Sequence, residues 1–223
     1  MERILDCTGV ILGGGKATRL GGVPKGLLRA GRETVAARTV RLFRDLFGEV
    51  LLVANDPAPY LDLGVPVIPD AIPGKGAPGG LHAALRATRT GWIFTAACDM
   101  PFLSADAIRF LWDRRGRARA ALVDWERGPE GLHAFWSLDC LAEVERMLRD
   151  GDPSMRAIAA AVGARAVPGE EWRRVDPAGR SFENANTAAD LERLGLEAPP
   201  AKGGEAGETS AELGDGDADR ERP

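Results

Sequence analysis

An apolar run that breaks directly into a glycine-rich, cation-flanked loop constrains this chain more than any other feature. Val10-Ile11-Leu12 is followed by Gly13-Gly14-Gly15-Lys16-Ala17-Thr18-Arg19-Leu20-Gly21-Gly22-Val23-Pro24-Lys25. A short, continuous apolar run reads as a parallel strand covered on both faces. Five glycines let backbone N–H groups approach a ligand closely, and Lys16, Arg19 and Lys25 add positive charge, which suits a polyphosphate. The loop lacks the G-K-[ST] ending of one common phosphate loop and the G-x-G-x-x-G spacing of the other. Arg19 suits a forked contact with phosphate oxygens and Lys25 a point contact, whereas Lys16 reads as a solvated loop charge.

The rest of the chain alternates between strand and helix patterns. Thr8–Leu12, Val50–Ala54, Pro66–Ile68, Trp92–Ala97, Ala120–Val123 and Leu132–Trp136 read as strands. Helices are predicted over Thr34–Phe47, with Gly48 as its stop, and over Gly80–Thr88. Further helices are predicted from a Ser104 cap to about Arg114, over Ser137–Arg149, after Pro153-Ser154, and over Thr187–Leu194. Thr187 and Asp190 stand at capping-box spacing. Such alternation predicts a single α/β domain of three layers, a mostly parallel sheet with helices on both faces. The domain is expected to span residues 1–196. From Glu197 to Pro223, eight acidic residues face three basic ones, with no aromatic residue among them. That segment cannot bury enough apolar surface to offset its ordering entropy and is expected to be a disordered acidic tail.

Composition excludes several classes of function. Outside the tail the chain is nearly neutral, with no broad basic stripe, so no nucleic-acid partner is expected. No apolar stretch approaches the ~20 residues of a membrane span, and no membrane association is expected. Met1-Glu2-Arg3 precedes too short an apolar run for a secretory signal. Cys7, Cys98 and Cys140 are scattered and odd in number, which predicts neither a disulfide framework nor a zinc site. A reduced, cytoplasmic setting is expected. His82 and His133 lack partners at metal spacing and read as packing or hydrogen-bonding residues.

In open α/β sheets, ligands bind beyond the carboxyl ends of the strands. Those ends here carry Gly13-Gly14-Gly15, Asn55, Asp70 and Asp99. Asp99, in Cys98-Asp99-Met100-Pro101, is either a loop or capping residue or a metal ligand. Facing a phosphate loop it suits Mg²⁺, which takes one or two carboxylates and fills its octahedron with water and phosphate oxygens. Asn184 and Asn186, just before a helix start, are either turn and cap residues or amides that meet an anionic substrate. The segment Pro73–Gly80 is either a plain loop or a cover over a ligand.

Through these residues the chain resembles the molybdenum cofactor guanylyltransferases, the MobA family, within the Rossmann-like nucleotidyltransferases. The likeness covers about residues 8–195. The family's Leu-Ala-Gly-Gly, Arg-Met-Gly and Gly-Val-Asp-Lys-Gly correspond to Leu12-Gly13-Gly14-Gly15, Arg19-Leu20-Gly21 and Gly22-Val23-Pro24-Lys25-Gly26. Its Gly-Pro-Leu-Ala-Gly and Asn-x-Asn-Thr-Pro-Glu-Asp resemble Gly76–Gly80 and Asn184–Asp190. Gly13 stands for the family's Ala, Pro24 for its Asp, and Ala77 and Ala188 each for a Pro. The resemblance implies transfer of GMP from GTP to the terminal phosphate of molybdopterin, with Mg²⁺ as cofactor. It places GTP on Leu12, Gly13, Gly14, Gly15, Lys25, Asn55, Asp70 and Asp99, with Asp99 as the metal ligand. Lys25, Arg19 and Asp99 are then catalytic, and Gly80, Asn184 and Asn186 face molybdopterin. Transient contact with proteins of molybdenum cofactor biosynthesis or with cofactor acceptors is a further implication. Cytidylyl transfer, a sugar-phosphate acceptor and a non-catalytic nucleotide-binding regulator are the alternatives.

Overall fold

The computed structural model describes residues 2–13 and 23–199. In chain order its elements begin with β1 (Ile4–Leu12), β2 (Arg29–Ala30), β3 (Glu33–Thr34), α1 (Val35–Leu46), β4 (Phe47–Val53) and β5 (Val67–Ile68). They continue with α2 (Gly76–Ala87), β6 (Trp92–Ala97), α3 (Ala105–Arg114), β7 (Ala120–Trp125), β8 (Gly128–Pro129) and β9 (Ala134–Ser137). The last are α4 (Leu141–Asp150), α5 (Met155–Ala161), β10 (Arg165–Pro168), α6 (Gly169–Trp172) and α7 (Ala188–Leu194).

Seven strands lie side by side in the order β10-β7-β9-β6-β1-β4-β5, and β8 pairs with β7. β5, β4, β1 and β6 are mutually parallel, while β9 runs antiparallel between β6 and β7. The expected mostly parallel α/β sheet is therefore present. Side chains along β1 alternate between two cores. Cys7 and Ile11 enter one cluster with Phe43 of α1 and Ile108 and Leu111 of α3. Val10 and Leu12 enter another with Leu81 and Leu85 of α2, Val144 and Leu148 of α4 and Ile158 of α5. Helices thus cover both faces of the sheet, which explains why its central strands read as unbroken apolar runs.

Several boundaries differ from the sequence reading, each for a physical reason. α1 ends at Leu46; Phe47 is already extended and opens β4. Gly48 is not a helix stop. A Cβ there would lie 2.6 Å from the Leu5 carbonyl oxygen, so glycine admits the irregular start of β1. Gly9 serves packing: a Cβ would lie 2.6 Å from ring atoms of both Phe43 and Phe47. Those rings and Phe94 meet with centroids 5.3–5.7 Å apart. α2 begins at Gly76, one turn before the expected Gly80, because Pro78 falls in its first turn, where a missing N–H costs nothing. Ser137 ends β9 and caps a short 3₁₀ turn over Leu138–Cys140, with α4 starting at Leu141. β10 leaves no strand pattern in the sequence because only Val167 of its four residues is buried. The Ser104 and Thr187 caps form as predicted: Ser104 Oγ accepts from Ala107 N, and Thr187 and Asp190 make a reciprocal capping box.

Glu197, placed by the sequence reading at the start of the acidic tail, pairs through its backbone with Arg29. Cys7, Cys98 and Cys140 are buried free thiols. No helix among the described residues is long and apolar enough to cross a membrane. His82 is buried and bonds Glu145 at 3.1 Å.

His133 is wholly buried, 4.9 Å from the Phe94 ring and 5.4 Å from those of Trp172 and Phe182. Burial pushes its pKa down to about 4. The folded protein then holds a neutral ring where the unfolded chain takes a proton near the ordinary value of about 6.5. His133 therefore contributes full stability above about pH 6.5, and that contribution is lost as pH falls toward 4. The slope is about 1.4 kcal/mol per pH unit, or about 2 kcal/mol between pH 7 and 5. Denaturant unfolding at those two pH values should show His133→Leu losing less stability on acidification than the wild type; equal losses would exclude this origin.

Candidate active site

Register gathers the expected ligand-facing residues on one rim. Leu12 lies opposite Val53 of β4 and Ala97 of β6, and Val53 lies opposite Ile68 of β5. The four strands therefore end level. Across the rim stand Asp70, Asn55, Gly13 and Asp99, each just beyond its strand. Gly13 N donates to the Val53 carbonyl at 2.8 Å, and Cys98 N donates to that of Leu12 at 3.1 Å. These bonds carry the ladder one residue past the strand ends and fix where the next residues emerge.

On the β4–β5 side, Asn55 and Asp70 clasp each other. Asn55 Nδ2 donates to Asp70 Oδ2 at 3.1 Å, and Asp70 N donates to Asn55 Oδ1 at 2.9 Å. Beside them is a small cavity of about 60 Å³ lined by Leu12, Val53, Asp70, Gly76, Gly80 and Ala97, among others. It is apolar on its floor and carries one carboxylate on its wall. The glycines of α2 make it possible: a Cβ on Gly80 would lie 3.1 Å from Leu12 Cδ2 and 3.7 Å from Asp70 Oδ1. Gly80 thus stands with Leu12 and Asp70, whereas the sequence reading grouped it with Asn184 and Asn186.

On the β6 side the chain brings together four residues. Pro24 holds an extended conformation and its carbonyl accepts from Leu27 N, which starts the tight turn Lys25–Leu27. That turn aims Lys25 across the rim. Lys25 Nζ donates to Asp99 Oδ2 at 2.8 Å and also to Asn186 Oδ1. Asn186 Nδ2 donates in turn to Asn184 Oδ1 at 2.7 Å. Asp99 is 6% exposed and the Lys25 side chain 25%, so the carboxylate is buried and its lysine partner partly exposed. Two backbone contacts hold the partners in register. Ala185 N donates to the Asp99 carbonyl at 3.2 Å, and Asp190 Oδ2 accepts from Asn186 N at 3.0 Å. The Asn186 N–H, followed by the Thr187 hydroxyl, keeps the Asp190 carboxyl below the usual carboxylate range.

The supporting contacts of three residues escaped the sequence reading. Tyr60 packs over Gly26, where a Cβ would lie 2.9 Å from Tyr60 Cε1, and its hydroxyl meets the Cys98 thiol. Burial pushes that thiol up to about 12, so Cys98 is an inert neutral wall behind Lys25 and Asp99. Glycine directly after Lys25 is the one local signal of this contact. Asp190 read as a cap; its hold on Asn186 N became visible only in three dimensions. Gly14, Gly15, Lys16 and Arg19 lie outside the described residues.

No group of three or more His, Cys, Asp or Glu side chains that could hold a metal occurs among the described residues. One carboxylate beside a partly exposed lysine, Asp99, fits a hard cation whose other ligands are water and phosphate oxygens, and it does not fit a structural metal.

Residues 9–167 match the family model described as a MobA-like NTP transferase domain. The chain is 31% identical over 188 residues to a probable molybdenum cofactor guanylyltransferase of Pelotomaculum thermopropionicum, covering 84% of this chain and 91% of the relative. It is 30% identical over 192 residues to the molybdenum cofactor guanylyltransferase of Syntrophotalea carbinolica, covering 85% and 91%. Among solved structures, the molybdopterin-guanine dinucleotide biosynthesis protein A of Archaeoglobus fulgidus matches with a TM-score of 0.71 at 25% identity. That match covers 83% of this chain and 95% of the other.

Proposed function

Because this chain belongs to the MobA-like NTP transferase family and is a nucleotidyltransferase, we propose that it transfers GMP from GTP to the terminal phosphate of molybdopterin. The observation that carries this reading is the meeting of Lys25, at the end of the glycine-rich loop, with Asp99 and Asn186 on the same rim. A cation for phosphates, a carboxylate for a metal and an amide for an acceptor converge there, and the notch by Asp70 lies farther along that rim.

The acceptor phosphate is already an anionic nucleophile, so no side-chain nucleophile is required. One of its oxygens attacks the α-phosphorus of GTP, the α–β bridging bond breaks, and pyrophosphate leaves with that bond's electron pair. Catalysis rests on alignment and charge neutralisation. Asp99 would hold Mg²⁺, which supplies Lewis-acid neutralisation of phosphate charge when bound. Lys25 neutralises the triphosphate, with Arg19 assigned to the departing pyrophosphate. Leu12, Gly13, Gly14 and Gly15 present backbone to the nucleotide. Asn55 and Asp70 orient the nucleoside, and Asp70 can accept from guanine N–H groups. Asn184 and Asn186 hold the acceptor, with Gly80 leaving room between the two substrates. Residues 1–196 form the catalytic unit in this reading. Residues 197–223 are an acidic extension to it, and the reaction belongs in the cytoplasm.

Pyrophosphate release from GTP, CTP, ATP and UTP in the presence of Mg²⁺ and molybdopterin tests the assignment. GTP should be preferred, with release dependent on the acceptor. Equal turnover of all four nucleotides, or a preference for CTP, would overturn the guanylyl assignment.

A further inference from the structure

Lys25 is spent twice in this site. One N–H of its ammonium goes to Asp99 Oδ2 at 2.8 Å and another to the Asn186 amide oxygen. The Asn186 amide nitrogen is also engaged, on Asn184 Oδ1 at 2.7 Å. One cation therefore meets both the carboxylate assigned to the metal and the amide oxygen of Asn186, assigned to the acceptor. The backbones beneath are pinned by Ala185 N on the Asp99 carbonyl and Asn186 N on Asp190. Only the side-chain partners are free to change.

We infer that Lys25 is an exchangeable lock: the nucleotide triphosphate draws it off Asp99 and Asn186, and this one movement opens the metal ligand and the acceptor subsite together. The inference rests on the roles of Asp99 and Asn186 in the proposed guanylyl transfer. A triphosphate presents several negative oxygens where Asp99 presents one carboxylate, so the ammonium moves toward the greater charge. Lysine suits this exchange better than arginine, being a point charge on a flexible stem rather than a rigid two-pronged fork. Once Nζ leaves, a carboxylate only 6% exposed is left without its cation, a costly state that a divalent ion relieves. Phosphate and metal binding are then reciprocally linked. The nucleotide binds before the acceptor, because the Asn186 amide oxygen stays committed to Lys25 until the triphosphate arrives. A site locked in this way does not load metal alone, and it does not engage a labile acceptor before the group to be transferred is in place.

The test is Mn²⁺ titration of the full chain without nucleotide, followed by electron paramagnetic resonance. The wild type is compared with Lys25→Met, Lys25→Met/Asp99→Asn and Lys75→Met, and the wild type and Asp99→Asn are also titrated with Mn²⁺ in the presence of GTP. Lys75 is a charge control at the other end of the rim's second glycine segment, bonded to Gly151 and Asp152. Lys25→Met should bind Mn²⁺ about tenfold more tightly than the wild type, as expected when a cation is removed from hydrogen-bond distance of the ligand. The double variant should lose that gain, and Lys75→Met should match the wild type. No gain in Lys25→Met, or an equal gain in Lys75→Met, overturns the lock. If the gain fails while Asp99→Asn still abolishes Mn²⁺·GTP binding, the lock alone is wrong. A gain that survives Asp99→Asn overturns the lock and the metal assignment of Asp99 together.

Discussion

Asp99→Ala should leave a folded protein whose turnover is about 10³-fold lower and no longer rises with Mg²⁺. The carboxylate stands at the end of β6, 6% exposed, and among the described residues it is the carboxylate that Lys25 meets. In the proposed reaction, removing it takes away the protein carboxylate assigned to a hard cation at the phosphates. The fold should tolerate the change. Lys25 keeps Asn186 and has a side chain one-quarter exposed, so water can solvate the ammonium, and the loss of stability should be about 1 kcal/mol or less. Steady-state rates across a Mg²⁺ series, with thermal unfolding in parallel, check both halves. An unaltered metal dependence would remove Asp99 from the metal site.

Lys25→Ala should cost a factor of about 10²–10³ in turnover, the usual loss when one preorganised charge partner of a transition state is removed. Its effect on stability should differ from that of Asp99→Ala. Without Lys25 the Asp99 carboxylate remains nearly buried and has lost its cation. Such an orphaned group costs about 1–3 kcal/mol. The double variant Lys25→Ala/Asp99→Ala removes the orphan and should unfold at a higher temperature than Lys25→Ala alone, although it is no more active. Additive loss of stability in the double variant would show that the two side chains do not act as a pair.

The rim of this site was readable in the sequence because each of its parts is local. A buried parallel strand leaves a near-continuous apolar run, and the residues just after such a run must lie at the strand's carboxyl end. That placed Gly13, Asn55, Asp70 and Asp99 together without any knowledge of contacts. The Thr187–Asp190 cap was equally local. Side-chain pairing over distance could not be read. Lys25 and Asn186 are 161 residues apart, and no spacing rule links them. That Gly80 stands beside Leu12 and Asp70 could not be read either, because a space left by a missing side chain has no sequence signature. β9 reverses direction inside an otherwise parallel neighbourhood, yet its buried residues Ala134–Ser137 look the same in either direction. Gly48 looked like a helix stop since glycine serves both left-handed caps and close backbone contacts, and only the nearby Leu5 carbonyl distinguishes them.

The central claim is that the α-phosphate of GTP ends on the acceptor and the β- and γ-phosphates leave together. It is tested most directly by giving the full chain molybdopterin, Mg²⁺ and GTP labelled at either the α- or the γ-phosphate. The α-label should appear in a guanine dinucleotide product and the γ-label in pyrophosphate. Label from the γ-position on the acceptor, or in free inorganic phosphate with no labelled dinucleotide, would contradict it.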